Sequence, residues 1–146
     1  MIVATTGNVI ADKVKPYKDK FLIALETAAD FVCISNGSLY INEIVVYAEH
    51  KIECDSVFRI VVLPNCFDMK RYIESNGVYC TTIEQTILDL LENEGDTDIQ
   101  VLVESLSNYY YKHNETFGKL GSLMYERQTI AFNKWKEDAI DYYNDN

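Results

Sequence analysis

The residues able to do chemistry are few, and their spacing serves no familiar reaction. The chain has two histidines, His50 and His113, and four cysteines, Cys33, Cys54, Cys66 and Cys80. No His-Glu-x-x-His, Cys-x-x-Cys, Gly-x-Ser-x-Gly or glycine-rich phosphate loop occurs. Cys33, Cys66 and Cys80 lie in apolar runs, where a free thiol behaves as a small buried hydrophobe. A nucleophilic cysteine is the weaker reading. Glu84 and Asp89 could form a carboxylate pair, but five positions on a helix place them on different faces. No catalytic residue, metal or cofactor is expected, and the chain reads as a non-enzyme.

Asp89 is the odd one of the pair, because it lies among Leu88, Leu90 and Leu91. It must either face solvent or accept hydrogen bonds from a backbone or an arginine. A structural role is the expected one. The element that positions it begins at Thr81. Thr81 and Glu84 have the spacing of a capping box, and Thr82 with Gln85 offers a second register. Apolar residues follow at Ile83, Ile87, Leu88, Leu90 and Leu91, and Gly95 ends the helix.

The rest of the chain predicts an α+β fold in one domain, residues 1–146. It comprises a small mixed β-sheet, an early helix and a C-terminal helical array. Residues 1–20 are weakly patterned, with a possible strand at Met1–Ala4 and a short helix at Asn8–Val14. Residues 21–95 mix helix and strand. The pattern predicts a helix over Phe21–Val32 and a turn at Asn36-Gly37. Strands are predicted within Leu39–Ala48 and Val57–Leu63, the latter covered on both faces, and a short one at Val78–Cys80. Phe67–Ser75 suggests a helical turn with Met69, Tyr72 and Ile73 inward, before a tight turn at Asn76-Gly77. The sheet should have three or four strands. Residues 96–146 read as helical. Ile99, Leu102, Val103, Leu106 and Tyr110 form one stripe. Asn114 caps a shorter helix broken by Gly118 and Gly121, and a last helix runs from about Leu123 to Tyr143.

Lys and Arg number 13 against 23 Asp and Glu, a net charge of −10. Phosphate binding needs cations, so direct nucleic-acid binding is not expected. A basic protein partner is. The four lysines at Lys13, Lys15, Lys18 and Lys20 read as a solvated face. No Lys or Arg occurs between Arg71 and Lys112, a gap holding eight acids. Glu92, Glu94, Asp96 and Asp98 crowd one inter-helix loop, and Glu104 follows. These five are the candidate protein-binding residues; Thr81, Glu84 and Asp89 form the structural motif. No run is apolar enough for a membrane span, and no signal peptide is visible. A reduced, cytoplasmic location is therefore expected.

Glu84-Gln85-Thr86-Ile87-Leu88-Asp89-Leu90-Leu91 resembles a segment shared by AbiEi-type antitoxins of abortive-infection (type IV) toxin–antitoxin systems. Ala24-Leu25-Glu26-Thr27-Ala28-Ala29-Asp30-Phe31 is similar to that family's Ser-x-Glu-Thr-Ala-Leu helix, and Asp98-Ile99-Gln100 opens a third similar element. The resemblance spans roughly Phe21 to Leu123. It implies an antitoxin countering a nucleotidyltransferase toxin in phage defence. Family members usually carry an N-terminal winged helix-turn-helix, which the 20 residues before Phe21 are too few to form. DNA binding is therefore not carried over. The competing reading is a small acidic phage-encoded inhibitor, an anti-CRISPR or nucleic-acid mimic, that occupies the basic groove of a nucleic-acid-binding defence protein.

Overall fold

The apolar runs resolve into a mixed sheet with helices on both faces. A computed structural model describes residues 6–35 and 43–142. Among them the order is α1 (Thr6–Val14), a 3-10 turn (Lys15–Tyr17), β1 (Leu22–Ile23), α2 (Leu25–Phe31), β2 (Ile44–Ala48) and β3 (Phe58–Val62). Then come α3 (Cys66–Met69), β4 (Tyr72–Ser75), β5 (Val78–Thr81), α4 (Ile83–Glu92) and a 3-10 turn (Glu94–Asp96). The chain continues through α5 (Ile99–Lys112), α6 (Gly118–Gly121) and α7 (Glu126–Asp141). The fold is α+β, with an early helix and C-terminal helices, as the patterning implies. The strand expected at Met1–Ala4, the turn at Asn36-Gly37, the strand residues 39–42 and the helix end at Tyr143 lie outside the described residues.

The sheet runs β3-β2-β1-β5-β4. β1 is antiparallel to β2 and parallel to β5; β2 and β3 are parallel, β4 and β5 antiparallel. Side chains alternate between two cores, as the pleat requires. Leu22, Val45 and Tyr47 pack against α4, α5 and α7. Ile23, Ile44, Val46, Val78 and Cys80 share the other core with Ile10, Ala11 and Val14 of α1. α2 contributes to both. Covered on two faces, every residue of β2 is buried. Burying a Leu, Ile or Val side chain stabilises by roughly 1.5–3 kcal/mol, so these two cores dominate the favourable side of folding.

Several expectations need correction. The helix predicted from Phe21 starts only at Leu25, because Phe21–Ala24 is extended and central. All four of those residues are buried, and total burial removes the alternation that would distinguish strand from helix. The sheet has five strands among the described residues rather than three or four. The strand covered on both faces is β2; β3 is an edge strand and Val62 is half exposed. Met69, Tyr72 and Ile73 face outward, since Tyr72 and Ile73 lie on the other edge strand, β4. Asn114 does not cap a helix but sits in a left-handed turn with Glu115. Asn76 and Gly77, by contrast, have φ of 55° and 79°, the two positive values of the expected tight hairpin turn.

Cys33 is exposed rather than buried, because it occupies the left-handed position that ends α2. Its φ is 63°; Ile34 N–H reaches the Ala29 carbonyl at 2.9 Å and Cys33 N–H reaches that of Asp30 at 3.1 Å. This is a Schellman ending with a β-carbon where glycine is usual. Cys33→Gly should therefore raise stability by about 1 kcal/mol, read as a shift in urea midpoint at unchanged slope. An unchanged or lower midpoint would count against that strain.

Candidate functional site

α4 starts at Thr82, whose hydroxyl accepts from Gln85 N–H at 3.1 Å. Thr82 of the second register is thus the cap, but the box does not close, because Thr82 N–H donates to the Arg71 carbonyl at 3.1 Å and the Gln85 side chain turns to Asp89 and Arg71. Thr81 is instead the buried end of β5; its hydroxyl pairs with that of Thr86 at 2.6 Å. Thr86 also donates to the Thr82 carbonyl at 2.7 Å. These bonds lock α4 to the strand that feeds it. Glu84 is freed from the capping role. Thr27 does a similar job for α2, accepting from Val45 N–H at 2.8 Å.

Asp89 is fully buried and accepts three hydrogen bonds. They come from Lys70 Nζ at 2.8 Å, Tyr47 Oη at 2.9 Å and Gln85 Nε2 at 3.0 Å. Gln85 is four residues earlier on the same helical face, so the side chains meet. Its Oε1 accepts from Arg71 N–H at 3.3 Å, anchoring the segment that carries Lys70. Burial pushes the Asp89 carboxyl above its ordinary range, against the opposing pull of the Lys70 ammonium and the Tyr47 hydroxyl. Burial and the Asp89 charge push the Tyr47 phenol up as well. The structural reading of Asp89 thus has a geometry, with a lysine and a tyrosine as partners where an arginine or backbone was expected.

Above this network is a cleft of about 350 Å³, between Met69–Arg71 and the start of α7. α4 contributes Gln85, Leu88 and Glu92, and Leu123, Tyr125 and Gln128 form the opposite wall. A second, more polar cleft of about 360 Å³ brings together Glu26, Glu43, Arg59, Asp96 and Asp98. Arg59 pairs with Glu43 at 2.9 Å and Glu26 at 3.5 Å. Asp98 also caps α5 through Gln100 N–H at 3.0 Å.

The five acids proposed for partner binding therefore separate. Asp96 and Asp98 share the acidic cleft, joined by Glu26 and Glu43. Glu92 belongs to the other cleft. Glu94 accepts from the Trp135 indole N–H and lies 3.5 Å from Lys134 Nζ, so it fastens the loop to α7. Glu104 is a correction. It lies on the inward face of α5, is 8% exposed and accepts from Tyr142 Oη at 3.1 Å.

Sequence reasoning missed Lys70, Tyr47, Glu26, Glu43 and Arg59. The signal for Lys70 was present: a carboxylate inside an apolar helix needs a buried donor. Nothing local announces that α2 and the residue before β2 approach the α4–α5 loop. His50 lines a separate pocket of about 250 Å³, and the His113 ring stacks on Tyr109 at 3.9 Å. Among the described residues, no group of three His, Cys, Asp or Glu is placed to hold a metal ion. No described helix is long and apolar enough to cross a membrane. Comparison with protein-family models gives no match, and comparison with curated proteins gives none.

Proposed function

We propose that this chain is an antitoxin-like component of a toxin–antitoxin or phage-defence module. It neutralises a nucleotidyltransferase-type toxin in the cytoplasm by offering a carboxylate-rich surface to a basic protein partner. The observation that supports this reading is the convergence of Glu26, Glu43, Asp96 and Asp98, from three separate segments, on one open cleft. Arg59 offsets part of that charge, and the remainder faces outward. A toxin that handles nucleotides needs cations in its own cleft, and such cations complement this surface. Nucleic acid is repelled by it.

The test is growth recovery when the full chain is co-expressed with the nucleotidyltransferase encoded beside its gene. A variant with Glu43→Lys, Asp96→Lys and Asp98→Asn reverses the surface while keeping a side chain able to cap α5. Wild type should restore growth and the folded variant should lose most of that effect. The absence of such a neighbouring reading frame, no recovery by wild type, or equal recovery by the variant would overturn the proposal.

A further inference from the structure

The cleft over Asp89 has a polarity that the acidic surface does not explain. One end is rich in donors. The Arg71 guanidinium is exposed and makes no hydrogen bond or ion pair among the described residues. Lys70 commits one bond to Asp89 and retains further hydrogens. Buried Gln128 uses Oε1 to accept from Tyr125 N–H at 2.8 Å, leaving its amide nitrogen as a donor. At the other end of the same α4 face lies the exposed carboxylate of Glu92. Gln85, beside Arg71, and Glu92 are two turns apart, about 10 Å by helix rise. Leu88, Leu123 and Met69 add apolar surface to a lining that is otherwise largely polar, and Tyr125 is 79% exposed.

Cationic donors, some apolar lining and the Glu92 carboxylate, two turns or about 10 Å along α4 from Gln85, suit one ligand chemistry. We infer that this cleft binds a nucleoside monophosphate whose base carries an exocyclic amino group. The phosphate takes Arg71 and Lys70, which suit it as a fork and a point charge. The base lies against Tyr125, since every base has a π-face for an aromatic ring. Glu92 accepts from the amino group, as carboxylates do from cytosine N4. The volume falls within the range of small-molecule sites. The net charge of −10 opposes a dianion, so the affinity should be modest, with Kd on the order of 0.1–1 mM. This site is independent of the toxin reading, because Arg71 and Tyr125 lie outside the acidic cleft.

The experiment is two-dimensional NMR of the full chain titrated with AMP, GMP, CMP and UMP, with inorganic phosphate and the uncharged nucleosides as controls. Expected are saturable shifts at Arg71, Gln128 and Tyr125 for at least one amino-bearing nucleotide. Phosphate alone and the matching nucleoside should bind at least about tenfold more weakly. Arg71→Ala should weaken binding about tenfold or more, and Glu92→Gln should erase the preference over UMP. Both side chains are exposed, so the fold tolerates their loss. No saturable shift up to about 5 mM nucleotide, equal binding by phosphate alone, or indifference to Arg71→Ala would each overturn the assignment.

Discussion

Lys70→Ala should destabilise the protein by about 3 kcal/mol or more at pH 7, the largest single-site loss expected near the cleft. The substitution leaves Asp89, fully buried, with a hydroxyl and an amide but no cation. The Lys70 side chain is itself only 15% exposed, so solvent screens the pair weakly. Replacing both partners, Lys70→Met with Asp89→Leu, should recover much of the loss, because no buried charge is then orphaned. The deficit should also depend on pH. Burial already raises the folded pKa of Asp89 above the unfolded carboxylate value near 3.9. In that window the folded state binds more protons than the unfolded, so the Asp89 contribution improves as pH falls. Removing Lys70 takes away a group that lowers this pKa, so it rises further. The gap between variant and wild type should therefore be widest near neutrality and narrow towards about pH 4. Chemical denaturation at several pH values measures it. A gap that is constant or grows on acidification would mean that Asp89 is not held as a buried carboxylate.

Phe21→Ala should cost about 3–5 kcal/mol, the range for deleting a fully buried aromatic ring. Phe21 has no exposed surface. Its ring stacks on Tyr17 at 4.8 Å and meets Phe58 at 5.0 Å, joining the 3-10 turn after α1 to edge strand β3. Deletion opens a void under the Tyr17 and Phe58 rings. Phe21→Leu should lose less than half as much. An unfolding free energy for Phe21→Ala within about 0.5 kcal/mol of wild type, from urea denaturation, would show that this aromatic triple does not hold the layer in place.

The α5 stripe predicts Leu102 and Leu106, both fully buried, but not that Glu104, Ser105 and Ser107 are buried beside them or that Tyr109 lies deeper than Tyr110. The Asn76-Gly77 turn was legible because Asn-Gly is the pair that most readily takes two positive φ values in succession; the same conformation at Asn114-Glu115 carried no such signal. Where burial was complete the signal vanished. Phe21–Ala24 lies between two cores and carries no polar residue to reveal its alternation. Side-chain partnerships were the hardest to see. Thr81 and Thr82 are equally able to cap, and only the path of β5 chooses Thr82. Glu104 looked like one more member of an acidic run until α7 placed Tyr142 beside it. For the candidate site, Asp96, Asp98 and Asp89 were found by charge and context. Their partners Glu43, Glu26, Tyr47 and Lys70 come from distant segments, which spacing along one chain does not encode.

The placement of β1 governs the order in which a nascent chain can assemble. Its two residues sit mid-sheet, with Leu22 beside Tyr47 on one flank and Tyr79 on the other. Synthesis from the N-terminus delivers this apolar strand long before its β5 neighbour leaves the ribosome. Until Thr81 has emerged, Leu22 and Ile23 have an unfilled ladder on that flank, of the kind that recruits foreign strands. The β4–β5 hairpin is the unit that closes quickly, being local. Translation therefore deposits the centre of the sheet well before its β5 flank, which makes the segment from Leu22 to Thr81 the one most in need of shelter during synthesis.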